Sequence, residues 1–589
     1  MDSIKSFKGY GKVDELEEQA FRRKTRKRLI ILIVSLVVLV AVVIGAVVGV
    51  VVKKNNDDSP SADSVPSVTS SPIKAVCSAT QYPDSCYSSI ASLEASDNIT
   101  DPEIIFKLSL KVAINGLSKL LGYPTKLMDQ TNDTQVKEAL KVCEMVFDDA
   151  LDRLNDSLSS MEVKEGEKLL SASKIDDIKT WLSSSITDQQ TCFDSFEDLD
   201  LNTTNSRIVS EIKTAMENST EFASNSLAIG AKILGLLSQF GVPLHRRLLG
   251  FQEDMGSTSG FPNWVGPKER RLLQENKPTP DAVVAQDGTG DYTTIKAAVE
   301  KVSKKSVKRF VIYVKKGTYK ENVVLDKSKW NVMMYGDGKT ETIVSGNLNF
   351  VDGTPTFATA TVAVAGKGFI AKDMKFINTA GPEKHQAVAF RSGSDLSVFY
   401  RCAFDAYQDT LYAHSNRQFY RECDITGTVD FIFGNAAVVF QSCNIMPRQP
   451  LPNQFNTITA QGKKDPNQNT GISIQKCTIS AFDTKLSAMT YLGRPWKQYS
   501  TTVIMQSTIG PFLHPLGWKE WVSNVDPPST IFYAEYQNTG AGSDVTNRVK
   551  WAGYKPTLTM DEAAKFTVST FIQGTDWLPA TSVSFEESL

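Results

Sequence analysis

Asp409 lies seven residues after Cys402, and Asp430 lies seven residues after Cys423. If both cysteines mark the same point on successive turns of a repeating structure, the two carboxyl groups sit one strand spacing apart, about 5 Å. Carboxyls that close cannot both ionise cheaply, so one pKa rises and one stays low. That is the arrangement of an acid beside a nucleophile. Aspartate is mostly a surface residue, but the neighbours here are unusual. Asp409 stands in Gln408-Asp409-Thr410-Leu411-Tyr412, and Asp430 in Gly427-Thr428-Val429-Asp430-Phe431-Ile432-Phe433-Gly434. A carboxylate among Tyr412, Phe431 and Phe433 is partly desolvated and therefore reactive.

The shared offset belongs to a longer repeat. Lys372–Phe376, Tyr400–Phe404, Arg421–Ile425, Gln441–Ile445 and Gln475–Ile479 each carry two variable residues, a Cys or Met, one variable residue and an apolar one. The Cys or Met positions are 28, 21, 20 and 34 residues apart. Unequal spacings on one pattern mean loops of different length on a common core, the signature of a right-handed parallel β-helix. Stacking also puts Cys423 and Cys443 on successive coils, within the Cα range of a disulfide, with Cys402 competing for the same partner.

Three further stretches are Gly317-Thr318-Tyr319-Lys320-Glu321, Gln386-Ala387-Val388-Ala389-Phe390 and Leu492-Gly493-Arg494-Pro495-Trp496. Together with the two around the aspartates, and in this order, they closely resemble the plant pectin methylesterase family, with Phe390 where Leu is usual. The resemblance implies a role for each residue. Asp430 is the nucleophile on the C6 carbonyl of a methyl-esterified galacturonate. Asp409 is the acid that protonates methanol and then the base that activates water. Gln386 and Gln408 donate to the oxyanion, and Arg494 holds Asp430 ionised. Trp496 stacks a sugar ring, and Thr356 contacts substrate, as do Gln386 and Arg494. A retaining glycoside hydrolase also sets two carboxyls about 5–5.5 Å apart. A pair of amide donors suits an oxyanion better than a cationic oxocarbenium. With four histidines and no Cys-x-x-Cys pair, a zinc site is not expected; the reading needs no cofactor and no nucleic acid.

The chain ahead of this part must deliver and control it. Leu29–Val52 is an apolar stretch long enough to cross a bilayer. Residues 1–28 before it end in Arg22-Arg23-Lys24-Thr25-Arg26-Lys27-Arg28, so residues 29–52 read as a transmembrane signal anchor with a cytosolic basic tail. Sequons at Asn98, Asn132, Asn155, Asn202 and Asn218 agree with a luminal, glycosylated fate. The expected localisation is a membrane-anchored precursor in the secretory pathway and a mature enzyme secreted to the cell wall. Residues 53–71 form a polar linker.

Residues 72–238 turn helical. Leu140, Cys143, Val146, Phe147, Leu151 and Leu154 fall at spacings of three and four, as do Ile175, Ile178, Trp181, Leu182 and Ile186. A four-helix bundle with a short N-terminal hairpin is expected. Chain order suggests Cys77–Cys86 closing the hairpin and Cys143–Cys192 joining long helices, one of three connectivities. The Cys77…Cys86 pair around Tyr82-Pro83, the Ala139-Leu140…Cys143 helix and Trp181-Leu182-Ser183…Thr191-Cys192 resemble the plant invertase and pectin methylesterase inhibitor family. Residues 239–273 are a second linker holding Arg246-Arg247-Leu248-Leu249 and Arg270-Arg271-Leu272-Leu273, a duplicated tetrapeptide expected to be a protease site.

Residues 71–240 carry 15 Lys+Arg against 26 Asp+Glu, and residues 274–589 carry 33 against 29. An acidic domain thus precedes a mildly basic one suited to an anionic polymer. The expected partners are methyl-esterified pectin, the chain's own helical pro-domain acting in cis as an inhibitor until cleaved, the processing protease and separate inhibitor proteins.

Overall fold

The computed structural model describes residues 72–93, 101–162, 172–197, 199, 203–239 and 278–589. The C-terminal part is built on one repeated corner. A residue with left-handed backbone stands just before each Cys or Met position: Asp373 at φ 55°, Arg401 at 52°, Glu422 at 55°, Ser442 at 54° and Lys476 at 52°. Such φ values are uncommon outside glycine, and here each one turns the chain sharply from one strand into the next. The corner recurs at Gln506 and Gln537, φ 52° and 49°, where Ser507 and Asn538 replace the cysteine.

Strands between the corners stack in parallel into three sheets of eleven, seven and eight strands. Each strand pairs with its counterpart on the neighbouring coil, as Ala403–Asp405 pairs with Asp424–Gly427 and that strand with Asn444–Pro447. This is the expected parallel β-helix. Its interior is filled by stacked side chains such as Phe399, Tyr420 and Phe440, whose ring centroids lie 4.4 and 4.6 Å apart in succession.

Burial differs among the sheets in a way the strands themselves record. In the eight-stranded sheet some strands alternate between buried residues and residues at least partly open to solvent, as in Lys375–Asn378 and Asn444–Pro447, the mark of one wet face. The eleven-stranded sheet is closed on its outer face by short C-terminal segments, with Val568, Ile572 and Leu578 packed on Phe419 and Val439. The outer face of the seven-stranded sheet joins the apolar core of the helical domain, through Ala363, Tyr412, Phe433 and Ala460.

In the N-terminal part the described residues include long helices Pro102–Ser118, Thr134–Ser160, Ala172–Asp194 and Thr203–Gln239, after a hairpin of Pro72–Cys77 and Pro83–Ala91. Asp101 and Asp133 cap the first two of these long helices, each accepting hydrogen bonds from first-turn backbone N–H groups. Disulfides join Cys77 to Cys86 and Cys143 to Cys192. Asn132, Asn155 and Asn218 are exposed. Asn98, Asn202, the apolar stretch 29–52, residues 1–28, the linker 53–71 and both Arg-Arg-Leu-Leu sites lie outside the described residues. Among the described residues no helix is long and apolar enough to cross a membrane.

Two expectations need correction. Cys423 and Cys443 are not bridged; they and Cys402 and Cys477 are buried free thiols. Stacked equivalents point the same way at one strand spacing, about 4.8 Å, whereas bridged Cβ atoms need about 3.8 Å. The thiols turn instead to backbone carbonyls, Cys423 to Phe399 O at 3.4 Å and Cys443 to Tyr420 O at 3.5 Å. Trp181, expected on the buried face of its helix, is half-buried and donates from Nε1 to Asp395 Oδ2 of the β-helix at 3.2 Å.

Candidate active site

The register predicted for the aspartates holds. Leu411 pairs with Ile432 and Tyr412 with Phe433, so Asp409 and Asp430, each two residues before its strand, are equivalent on adjacent coils. Asp409 N donates to Val429 O at 3.0 Å. Both aspartates have left-handed backbone, φ 62° and 51°, which Asp tolerates better than most residues. The loop between the strands must fold back tightly. A Cβ on Gly427 would lie 2.3 Å from Phe431 Cβ and 2.5 Å from Thr410 Oγ1, so glycine is required there.

Asp409 and Asp430 are 7% and 5% exposed. Arg494 grips Asp430 from Nε, at 2.9 Å to Oδ1, and from Nη2, at 2.6 Å to Oδ2. Burial works against the Arg494 charge, but Asp430, with Asp409 and Tyr533, more than offsets it and holds the guanidinium above its ordinary value. Such a bidentate pair fixes the orientation of the carboxylate. Further support comes from Thr457, whose hydroxyl donates to Asp430 Oδ1 at 2.6 Å and accepts from Asp430 N at 2.9 Å.

All seven predicted catalytic and substrate residues meet in one cavity of about 250 Å³: Thr356, Gln386, Gln408, Asp409, Asp430, Arg494 and Trp496. Its aromatic wall includes Tyr412 stacked on Phe433 at 4.1 Å. Phe431, expected beside the carboxylate, points into the β-helix core instead, since alternate strand residues face opposite ways.

Sequence reasoning missed several residues of the site. Phe357 and Trp521 line the cavity, and the Arg494 guanidinium lies 4.1 Å from the Trp521 ring centroid. Thr457 becomes visible only through the strand register. Ile432 pairs with Thr459, so Thr457 stands two residues before that partner, as Asp430 does before Ile432.

The fourth side of the cavity belongs to the helical domain. Thr191, Asp194, Ser195 and Glu197, at the end of the Ala172–Asp194 helix and just beyond, line it together with Asp409 and Asp430. Lys497 Nζ reaches Asp194 Oδ1 at 2.8 Å and Glu197 Oε1 at 2.7 Å. Further back, Thr191 Oγ1 is 2.8 Å from His414 Nε2, Asn435 Nδ2 donates to Thr187 Oγ1 at 2.8 Å, and Arg417 Nη2 meets Asp177 at 2.7 Å. One polar stripe of the helix therefore runs along the β-helix and ends over the aspartates.

Comparison with known proteins agrees with this geometry. The Pectinesterase family profile matches residues 281–575, and that of the plant invertase/pectin methylesterase inhibitor family matches residues 71–229. "Pectinesterase 3" of Phaseolus vulgaris is 64% identical over 598 residues, covering 100% of both chains. "Pectinesterase 1" of Arabidopsis thaliana is 62% identical over 589 residues, covering 99% of each. Among solved structures, pectin methylesterase from carrot is 53% identical with a TM-score of 0.52, covering 54% of this chain and 100% of its own. The chain therefore belongs to the pectinesterase family, with an inhibitor-family helical domain ahead of the catalytic one.

Proposed function

We propose that Asp430 is the nucleophile and Asp409 the acid and base of a pectin methylesterase that turns methyl-esterified homogalacturonan into pectate and methanol. The Asp430 carboxylate attacks the C6 carbonyl of the ester, and Gln386 and Gln408 donate hydrogen bonds to the oxyanion that forms. Collapse breaks the bond to the methoxy oxygen, which leaves as methanol with the Asp409 proton. Asp409, now a carboxylate, removes a proton from water as it attacks the acyl carbonyl. This frees the sugar carboxylate and restores Asp430. Arg494 and Thr457 keep Asp430 aimed, and Trp496 supports a sugar ring. The observation that carries this reading is the equivalence of Asp409 and Asp430 on adjacent coils, with Arg494 gripping Asp430 from two nitrogens.

The same reading makes the helical domain an inhibitor in cis. Its support is that Thr191, Asp194, Ser195 and Glu197 line the catalytic cavity, leaving a polymer no clear run across it. Cleavage at Arg246–Leu249 or Arg270–Leu273 would release the enzyme, with a mature N-terminus near Gln274. The apolar stretch 29–52 would anchor the precursor, and the five sequons would carry glycans before secretion to the wall.

The test is incubation of residues 274–589 with methyl-esterified pectin, measuring methanol and new reducing ends together. Methanol without new ends supports the esterase; new ends without methanol would replace it with a glycoside hydrolase.

A further inference from the structure

Lys497 follows Trp496 directly, and its Nζ lies 4.7 Å from the centroid of that ring. Its two ion-pair partners, Asp194 and Glu197, both come from the helical domain. Two other cations on this side are matched within the β-helix: Arg494 by Asp430, and Arg417 by Asp395 as well as by Asp177. Lys327 is paired with Asp148 and Asp152 of the helical domain, but it lines a separate small cavity rather than the catalytic one. Among the described residues, the β-helix thus offers Lys497 no ion-pair partner of its own, and sets this cation beside the aromatic surface next to the aspartates.

A bare ammonium at the rim of a sugar-binding cleft binds an anionic group more strongly than a neutral oxygen. The methyl ester to be cleaved is neutral. The carboxylate of a sugar already demethylated is not. Asp194 and Glu197 are the same functional group, and both line the cavity that holds the catalytic pair.

We propose that Lys497 forms a subsite for the free uronate carboxylate of a sugar neighbouring the one whose ester is cleaved, and that Asp194 and Glu197 occupy this subsite as carboxylate surrogates. The proposal rests on the esterase reading above and adds a specificity determinant to it. An ester flanked by a demethylated sugar binds better than one flanked by esters, so each product prepares the next substrate. The helical domain blocks the cleft partly by imitating product.

The test uses processed protein, residues 274–589. That this part folds alone is supported by the carrot enzyme, whose entire chain matches just over half of this one. Wild type, Lys497→Met and Lys497→Arg are compared by kcat/KM for methanol release per ester on nearly fully methylated pectin and on randomly, partly demethylated pectin. The ratio of the second to the first should exceed one for wild type and fall about fivefold in Lys497→Met, mainly through KM, as expected for a partly exposed charge pair. Lys497→Arg should restore most of it, and salt should lower the wild-type ratio but not that of the Met variant. Fully demethylated oligogalacturonate should inhibit wild type more strongly than Lys497→Met. Equal losses on both substrates, or an unchanged ratio and unchanged inhibition, would overturn the subsite. A wild type that releases no methanol would overturn the esterase reading itself, and with it this proposal.

Discussion

Thr457 stands one coil beyond Asp430 as Asp430 stands one coil beyond Asp409, and its hydroxyl donates to Asp430 Oδ1 at 2.6 Å. Three successive coils thus give equivalent positions to the proposed acid, the proposed nucleophile and a hydroxyl that holds the second carboxyl. Replacing Thr457 by Val should keep the shape and lose that bond. The expected cost is about tenfold in kcat with KM little changed, the size of one hydrogen bond to a charged group. Steady-state methanol release on one pectin checks it, and an unchanged kcat would make Thr457 mere packing.

Arg494→Lys retains the charge and loses the two-pronged grip on Asp430. A point charge does not fix carboxylate orientation. The variant should lose about 10²-fold in kcat/KM, and Arg494→Ala more, with about 3 kcal/mol of stability lost as well because a buried carboxylate is left unpaired. Kinetics and urea unfolding of the two variants separate the orientation effect from the charge effect.

The cysteine repeat revealed the β-helix, and it located Asp409 and Asp430 because the coils starting at Cys402 and Cys423 have nearly equal length. It could not reach Thr457. The same offset of seven from Cys443 falls at Pro450, inside the longer loop that separates strand Asn444–Pro447 from strand Asn456–Gln461. The repeat also fades at Ser507 and Asn538, where the corner geometry persists but the residue type changes. Helical spacing found the core residues Leu140, Cys143, Val146, Phe147 and Leu154. It could not say that Trp181 and the threonines at 180, 187 and 191 serve a second surface, because that partner lies more than 200 residues away in the chain.

The cysteine correction is directly countable. Processed protein of residues 274–589 should show four thiols reactive to a thiol reagent after unfolding without reductant, and almost none while folded, since all four are buried. Two thiols or none after unfolding would restore a bridge within the ladder.

Docking of the helical domain should depend on pH. Burial raises Asp149 to about 6 and lifts Asp188 well above the usual carboxylate range, with Asp149 adding to the latter and Arg153 and Arg391 opposing. An exposed Asp ionises near 3.9, so docking takes up protons between about pH 4 and 6 and weakens as pH rises through that window. His414, 3.8 Å from Asp188, opposes this. Burial, with Arg391 nearby, holds it well below its ordinary value, so docking expels the proton that a free imidazole carries below about pH 6.5. Burial also raises Asp194 to about 6 against the pull of Lys497, so three carboxyls outweigh one imidazole. The ratio of processed to uncleaved activity should therefore be several-fold higher at pH 4.5 than at pH 6.5, and Asp188→Asn should flatten it. A ratio rising with pH would contradict the assignment.

Whether the two stacked aspartates carry out ester hydrolysis is read from methanol release by processed Asp430→Asn beside wild type on the same pectin. Wild type should release methanol in step with new carboxylates, while the variant should keep its unfolding midpoint within a few degrees and lose at least about 10⁴-fold in kcat, as expected if Asp430 is the nucleophile. An Asp430→Asn protein that still releases methanol within about tenfold of the wild-type rate would contradict it.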